Sequence, residues 1–415
     1  MLGRELRGEL DAFLAETEQD LVAFRRDLHM HPELAFAEYR TTARIGERLS
    51  AMGLHPWVLP RGTGLFCEIG SGDGPTIGLR ADIDALALSD EKSVPYRSTV
   101  PGICHACGHD VHTTILVGAA GFLARQAAQG QLPGRVRLIF QPAEEMPGGA
   151  LEVMAQGGIT GVDRIFGLHC DPRVPVGQVG LKAGPITSAC DKVVIKVSGP
   201  GGHTARPHLT ADLVFALAKI LTELPAALSR RIDPRSSLSL VWGKVQAGSA
   251  ANAIPDVGYA EGTVRCLDEN AWHAAPDLIK ALLESVAGAY GVDAALDYTR
   301  GVPPVVNDEA SVEMLSQAAE RVLGLGSVVS TQQSLGGEDF AWYLESIPGA
   351  FARLGTRGTG SDGDFDIHQG TFDIDESAIA QGVRLMSAVA LTALWEGRGP
   401  DAEQESIIEP MAELI

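Results

Sequence analysis

Lys192-Val-Val-Ile-Lys-Val-Ser198 reads as a strand, and the segments after it decide how the chain is built. A helix is expected from about residue 211 to 224, strands over 237–245 and 258–267, a helix over 271–289 and a last strand over 294–298. The order β-α-β-β-α-β is the ferredoxin-like pattern. Both borders, Ala183-Gly-Pro185 and Arg300-Gly-Val-Pro-Pro304, are rich in Gly and Pro, as linkers and hinges are, so the stretch reads as an inserted domain. Outward from it the pattern changes. Short apolar runs at 65–69, 76–79, 136–140 and 165–168 alternate with helical segments such as 113–128, the signature of an α/β sheet covered on both faces. Two helices over the first fifty or so residues, broken at His31-Pro32, and a long helix from about Glu376 to Trp395 complete this host domain. The expected division is therefore 1–185 with 300–398, an insertion at 186–299 and an acidic tail at 399–415.

Composition narrows the function classes. The 415 residues are 45% hydrophobic and 21% charged, enough for about two cores. A formal net charge of −20 with no basic run excludes nucleic acid as the expected partner. No stretch reads as a signal peptide or a bilayer span, and six scattered cysteines fit a reducing compartment, so a cytoplasmic protein is expected.

Chemistry concentrates in His105-Ala-Cys107-Gly-His109-Asp110-Val-His112, where thiolate and imidazole donors crowd into eight residues of an expected loop. Cys104-His-Ala-Cys107 alone admits two rival readings, a redox pair or half of a closed zinc site. Further donors follow other apolar runs: Asp82 and Asp84 after 76–79, Glu144-Glu145 after 136–140 and His169 after 165–168. In α/β sheets, loops beyond the carboxyl ends of strands converge on one crevice, so these groups can meet. Two adjacent carboxylates suggest a division of labour in which one glutamate binds a cation and the other takes a proton from water. Asp82 and Asp84 are placed to orient a ligand imidazole. His29 and His31 flank a helix end and read as caps on backbone carbonyls, and His368 is ambiguous by spacing. Gly201-Gly202-His203 follows the first inserted strand, where glycines allow close approach.

Assembled, these residues resemble the aminoacylase/carboxypeptidase superfamily of dinuclear metallohydrolases, in the branch of hippurate hydrolases, indole-3-acetyl-amino-acid hydrolases and N-acyl-amino-acid amidohydrolases. The resemblance runs through Arg26 to Glu33, Leu79 to Asp84, His105 to His112, Phe140 to Glu145, Gly167 to His169, Gly201 to His208, Asn252 to Pro255, Gly262 to Arg265, Gly337 to Phe340 and His368. It implies an α/β/α zinc-peptidase-like catalytic domain with an inserted ferredoxin-like lid and dimerisation domain. It also implies two divalent ions (Zn, Mn, Co or Ni) on Cys107, His109, Glu145, His169 and His368, with Glu144 as general base. His203 would stabilise the oxyanion in a neighbouring active site, and Asn252 and Arg265 would meet the substrate's carboxylate. The implied protein is a homodimer through the lid, or a tetramer, hydrolysing small N-acyl amino acids or short peptides.

Overall fold

The computed structural model describes residues 2–72, 74–358 and 366–397, so the expected tail at 399–415 lies outside the described residues. The described residues divide into two units: those within 2–184, 307–332 and 342–397 in one, and 185–306 and 333–341 in the other.

The first unit is organised by an eight-stranded sheet in the order 57–58, 65–69, 135–141, 76–82, 164–175, 349–357, 179–181, 328–330. Its central strands Arg135–Gln141, Thr76–Asp82, Arg164–Pro175 and Gly349–Arg357 run parallel. All seven residues of Thr76–Asp82 are buried, as expected for a parallel strand covered on both faces. The register sets Asp82 beside Gln141 and Arg80 beside Gly167. Asp82, Gln141 and His169 therefore emerge at one level of the sheet. Helices Leu2–Met30, His109–Ala128, Glu309–Leu323 and Ser377–Glu396 contribute to the same core, through Phe24, Ile115, Phe122, Leu315 and Met386 among others. Helix Ser377–Glu396 is long and apolar enough to cross a membrane, but 83% of its most apolar window is buried in the fold. That is the composition of a core helix.

The second unit is a four-stranded antiparallel sheet in the order Ser239–Ala247, Val257–Cys266, Ala189–Ser198, Asp293–Val302. Val193, Ile195, Val197, Ala260 and Val264 pack with Leu217, Ile220 and Ile279 of helices Leu213–Leu228 and Glu269–Ala289. Asp212 and Asp268 cap those helices by accepting from the amides of Phe215 and Ala271. On the opposite face Val241 and Tyr259 stay exposed, and Val245, which pairs with Ala260 beyond the irregularity at residues 242–244, is exposed as well.

Residues 300–306 and 333–341 cluster with this second unit, in place of the expected return to the host domain at residue 300. The reason is local pairing: Ser188 N–H donates to Ser334 O, Ser334 N–H to Ile186 O and Ile186 N–H to Val305 O.

Candidate metal centre

Three parallel strands and one helix bring the donors together in the first unit. Helix His109–Ala128 begins one residue after Gly108, whose φ of 84° turns the chain into its first turn. His109 and His112 are therefore helical residues, where a loop was expected. His169 likewise sits inside strand Arg164–Pro175, opposite Arg353, because that strand runs on beyond its apolar start.

Hydrogen bonds decide which ring nitrogens are free. Nδ1–H of His109 faces the Asp84 carbonyl at 3.0 Å and its carboxylate at 3.1 Å. Nδ1–H of His169 faces Cys170 O at 2.8 Å. Each imidazole thus turns Nε2 inward, the arrangement in which an outer partner fixes ligand orientation. His112 is different. Its Nε2 accepts from Cys170 N–H at 2.9 Å and its Nδ1–H donates to Asp82 at 2.6 Å, so both nitrogens are engaged and it supports the site.

Around the inward nitrogens, Cys107 Sγ lies 3.3 Å from His169 Nε2, and His109 Nε2 lies 3.9 Å from both Glu144 Oε2 and Glu145 Oε1. His368 Nε2 is 3.2 Å from Glu145 Oε1, brought there by a backbone at φ 63° and by its N–H donating to Ala106 O at 2.8 Å. Cys107 belongs to two donor groups, one with His109 and His169 and one with Glu145 and His368, and the donor atoms of each group lie within 4.8 Å of one another. Cys107 would therefore be able to offer its sulfur, once deprotonated, to either group.

Electrostatics tests whether the residues fit cations. Burial pushes the Cys107 thiol well above its usual range, and burial with His112 and Arg353 nearby holds His169 far below, hence neutral. Burial opposes charge on His109 too, but Asp82, Cys107 and Asp84 hold it well above its ordinary value. Burial would raise Glu145, yet His368 and His109 pull it down. The acidic donors thus gather positive charge at their centre. His109 Nε2 is also buried without a hydrogen-bond partner, a costly state that a cation between it and Glu145 Oε1 would relieve. The donor set fits.

Residues 78–392 match the pattern of peptidase family M20/M25/M40. The chain belongs to this family. An N-acetyl-L-cysteine deacetylase of Bacillus subtilis is 41% identical over 88% of this chain and 86% of its own length. The crystal structure of another B. subtilis protein, described as a dinuclear metal binding peptidase of the M20 family, superposes with a TM-score of 0.80 at 37% identity, covering 92% of this chain and 99% of that one. A Rhodococcus jostii protein bearing the name of a glutamate–cysteine ligase 2-3 is 48% identical over 92% of this chain, but the chain spans only 47% of that protein's length.

Elsewhere the M20 chain departs from several expectations. His31 Nδ1–H does cap a carbonyl, that of Asp27, at 2.8 Å. His29 instead is buried 2.7 Å from Asp110, in a network with Arg25, which donates to the same oxygen at 2.7 Å. This network and the Arg80–Asp82 pair at 2.6 Å were not anticipated. Spacing could have suggested the second, since residues two apart on a strand share a face. In the second unit, His203 pairs with Ala253 in a two-stranded ribbon beside Asn252, and is exposed. Arg265 donates to Leu335 O near the far end of strand Val257–Cys266, about 26 Å of strand rise beyond Val257. Asn252 and Arg265 are therefore not neighbours within one chain, because eight extended strand residues, 257–264, lie between them.

The shared position of Cys107 gives a prediction for this M20 centre. Cys107→Ser should reduce metal content and affinity, because a neutral hydroxyl replaces a thiolate donor. Unchanged stoichiometry and affinity by metal analysis and chelator competition would contradict the assignment.

Proposed function

We propose that this chain is a metal-dependent amidohydrolase that cleaves the amide of small N-acyl amino acids, with Glu144 as general base. The observation that carries the reading is the pair of adjacent carboxylates, Glu144 and Glu145, equidistant at 3.9 Å from one unpartnered imidazole nitrogen. Cys107, His109, Glu145, His169 and His368 would hold the cations. When bound, they supply Lewis acidity to the amide carbonyl and lower the pKa of water. Glu144 takes the proton of the attacking water, then returns it to the leaving amine nitrogen. Asp84 keeps His109 in the tautomer that leaves Nε2 bare, and Asp82 does the corresponding work on His112. His203, on an exposed ribbon, would serve a partner's site as an oxyanion donor.

A homodimer through the second unit is supported by strand Ser239–Ala247 at the edge of its sheet and by exposed Val241, Val245 and Tyr259. We assign the enzyme to the cytoplasm, where six free cysteines would stay reduced.

The test compares N-acetyl-L-cysteine and other N-acetyl and N-benzoyl amino acids with their C-terminal amides and with short peptides. Recognition of a free α-carboxylate by a cationic group should favour acid over amide by about 1–3 kcal/mol, a factor of roughly 5 to 150. Equal rates on acid and amide would remove the carboxylate claim, and preference for peptides would make the protein a carboxypeptidase or dipeptidase.

A further inference from the structure

Glu144 sits between two backbone amides that are both held by buried carboxylates. On its N-terminal side Ala143 N–H donates to Glu38 Oε1 at 2.8 Å, and on its C-terminal side Glu145 N–H donates to Asp84 Oδ2 at 3.0 Å. Both acceptors are fully buried. The amide held by Glu38 belongs to a residue in an unfavourable conformation, since Ala143 has a φ of 52°, in the left-handed region that a Cβ disfavours. The turn is also tight. A Cβ at Gly149 would meet Pro142 O at 2.0 Å and Ala143 O at 2.6 Å, so these carbonyls are folded against the start of helix Gly149–Ala155.

Glu38 reaches this loop because its own segment is fastened to the loop carrying Asp84. Leu34 bridges Ala85 in parallel register, and Ala85 N–H donates to Glu33 O at 2.9 Å. A carboxyl buried in this way is costly to keep even with the amides of Phe36 and of its own residue nearby, and capping helix 39–51 does not account for it, because Glu33 accepts from the amides of Arg40 and Thr41 while Glu38 makes no side-chain cap.

We propose that Glu38 is a positioning residue, which with Asp84 clamps the amides on either side of Glu144 and holds Ala143 in the left-handed turn that aims the base. The inference rests on Glu144 being the base. Loss of the clamp would let Ala143 relax toward negative φ and displace the next carboxylate, and displacements near 1 Å cost up to about 100-fold in rate.

The experiment measures kcat, KM, metal content and thermal midpoint for Glu38→Ala, Glu38→Gln, Glu38→Met, Ala143→Gly and the double variant Glu38→Ala/Ala143→Gly. Gln keeps an acceptor oxygen, Met fills the space without one, and Gly tolerates positive φ. Glu38→Ala should lower kcat by about 10- to 100-fold with KM and metal content near wild type, and Glu38→Gln should restore most of it. Because Gly needs less help to hold the turn, Glu38→Ala should cost several-fold less in the Ala143→Gly background. If Glu38→Ala does not fold, Glu38→Met against Glu38→Gln carries the same comparison. Wild-type kcat in the folded Ala or Met variant, no rescue by Gln, or additive effects in the double variant would overturn the proposal. Glu144→Gln assayed alongside separates the two readings: if it is inactive while the Glu38 variants are fully active, only the clamp fails, and if it is active the base assignment fails first.

Discussion

Glu144→Gln is expected to leave a folded, metal-loaded protein that hydrolyses N-acyl amino acids about 100- to 10,000-fold more slowly than wild type. The amide keeps the shape of the carboxylate but cannot accept the water's proton. Glu145→Gln should act on a different quantity. Glu145 shares donor groups with Cys107 and His368, and with His109 and Glu144, and its charge is held by His368 and His109, so neutralising it should weaken cation binding before chemistry is reached. Turnover and metal content, measured on both proteins, keep the two glutamates apart. A metal-loaded Glu144→Gln protein with near-normal turnover would rule out the assigned base.

His203→Ala is the second substitution expected to have a large effect, about 100- to 1,000-fold in kcat if His203 donates to the developing oxyanion. The residue is exposed on the ribbon it forms with Ala253, within a unit whose sheet presents an edge strand and an open face with Val241 and Tyr259 exposed. Each active site would then take its His203 from the other subunit. Mixing His203→Ala with Glu144→Gln should therefore restore activity, because in each mixed dimer one site joins an intact Glu144 to an intact His203. Random reassortment of equal amounts puts about a quarter of all sites in that state. Activity should rise toward a quarter of wild type after subunit exchange. A fully active monomer, or no recovery in demonstrably mixed dimers, would defeat the arrangement.

How far the sequence could be read depended on the range of the interactions involved. The second unit was legible because each strand and helix carries its own local pattern, and the antiparallel order follows from the ferredoxin-like connection. The donors were legible because Cys107, His109, Glu145 and His169 are chemically unusual beside apolar strands and one helix. Local patterns could not show that the helix starts at His109, since Gly108 permits the turn and only tertiary packing selects it. Residues 333–341 join the second unit by pairing with residues about 147 positions earlier, which no window of sequence registers. Asn252 and Arg265 look close along the chain, yet an extended strand carries them apart. Glu38 gave no signal, because a lone glutamate before a helix reads as a surface residue until its burial against Ala143 is known.

The division of labour between two adjacent carboxylates is tested most directly by metal stoichiometry in Glu144→Gln and Glu145→Gln, measured on the same preparations as their turnover. Near two divalent ions per subunit with lost hydrolysis in Glu144→Gln, beside depleted metal in Glu145→Gln, is the predicted result. Loss of metal from both, or full activity in metal-loaded Glu144→Gln, would contradict it.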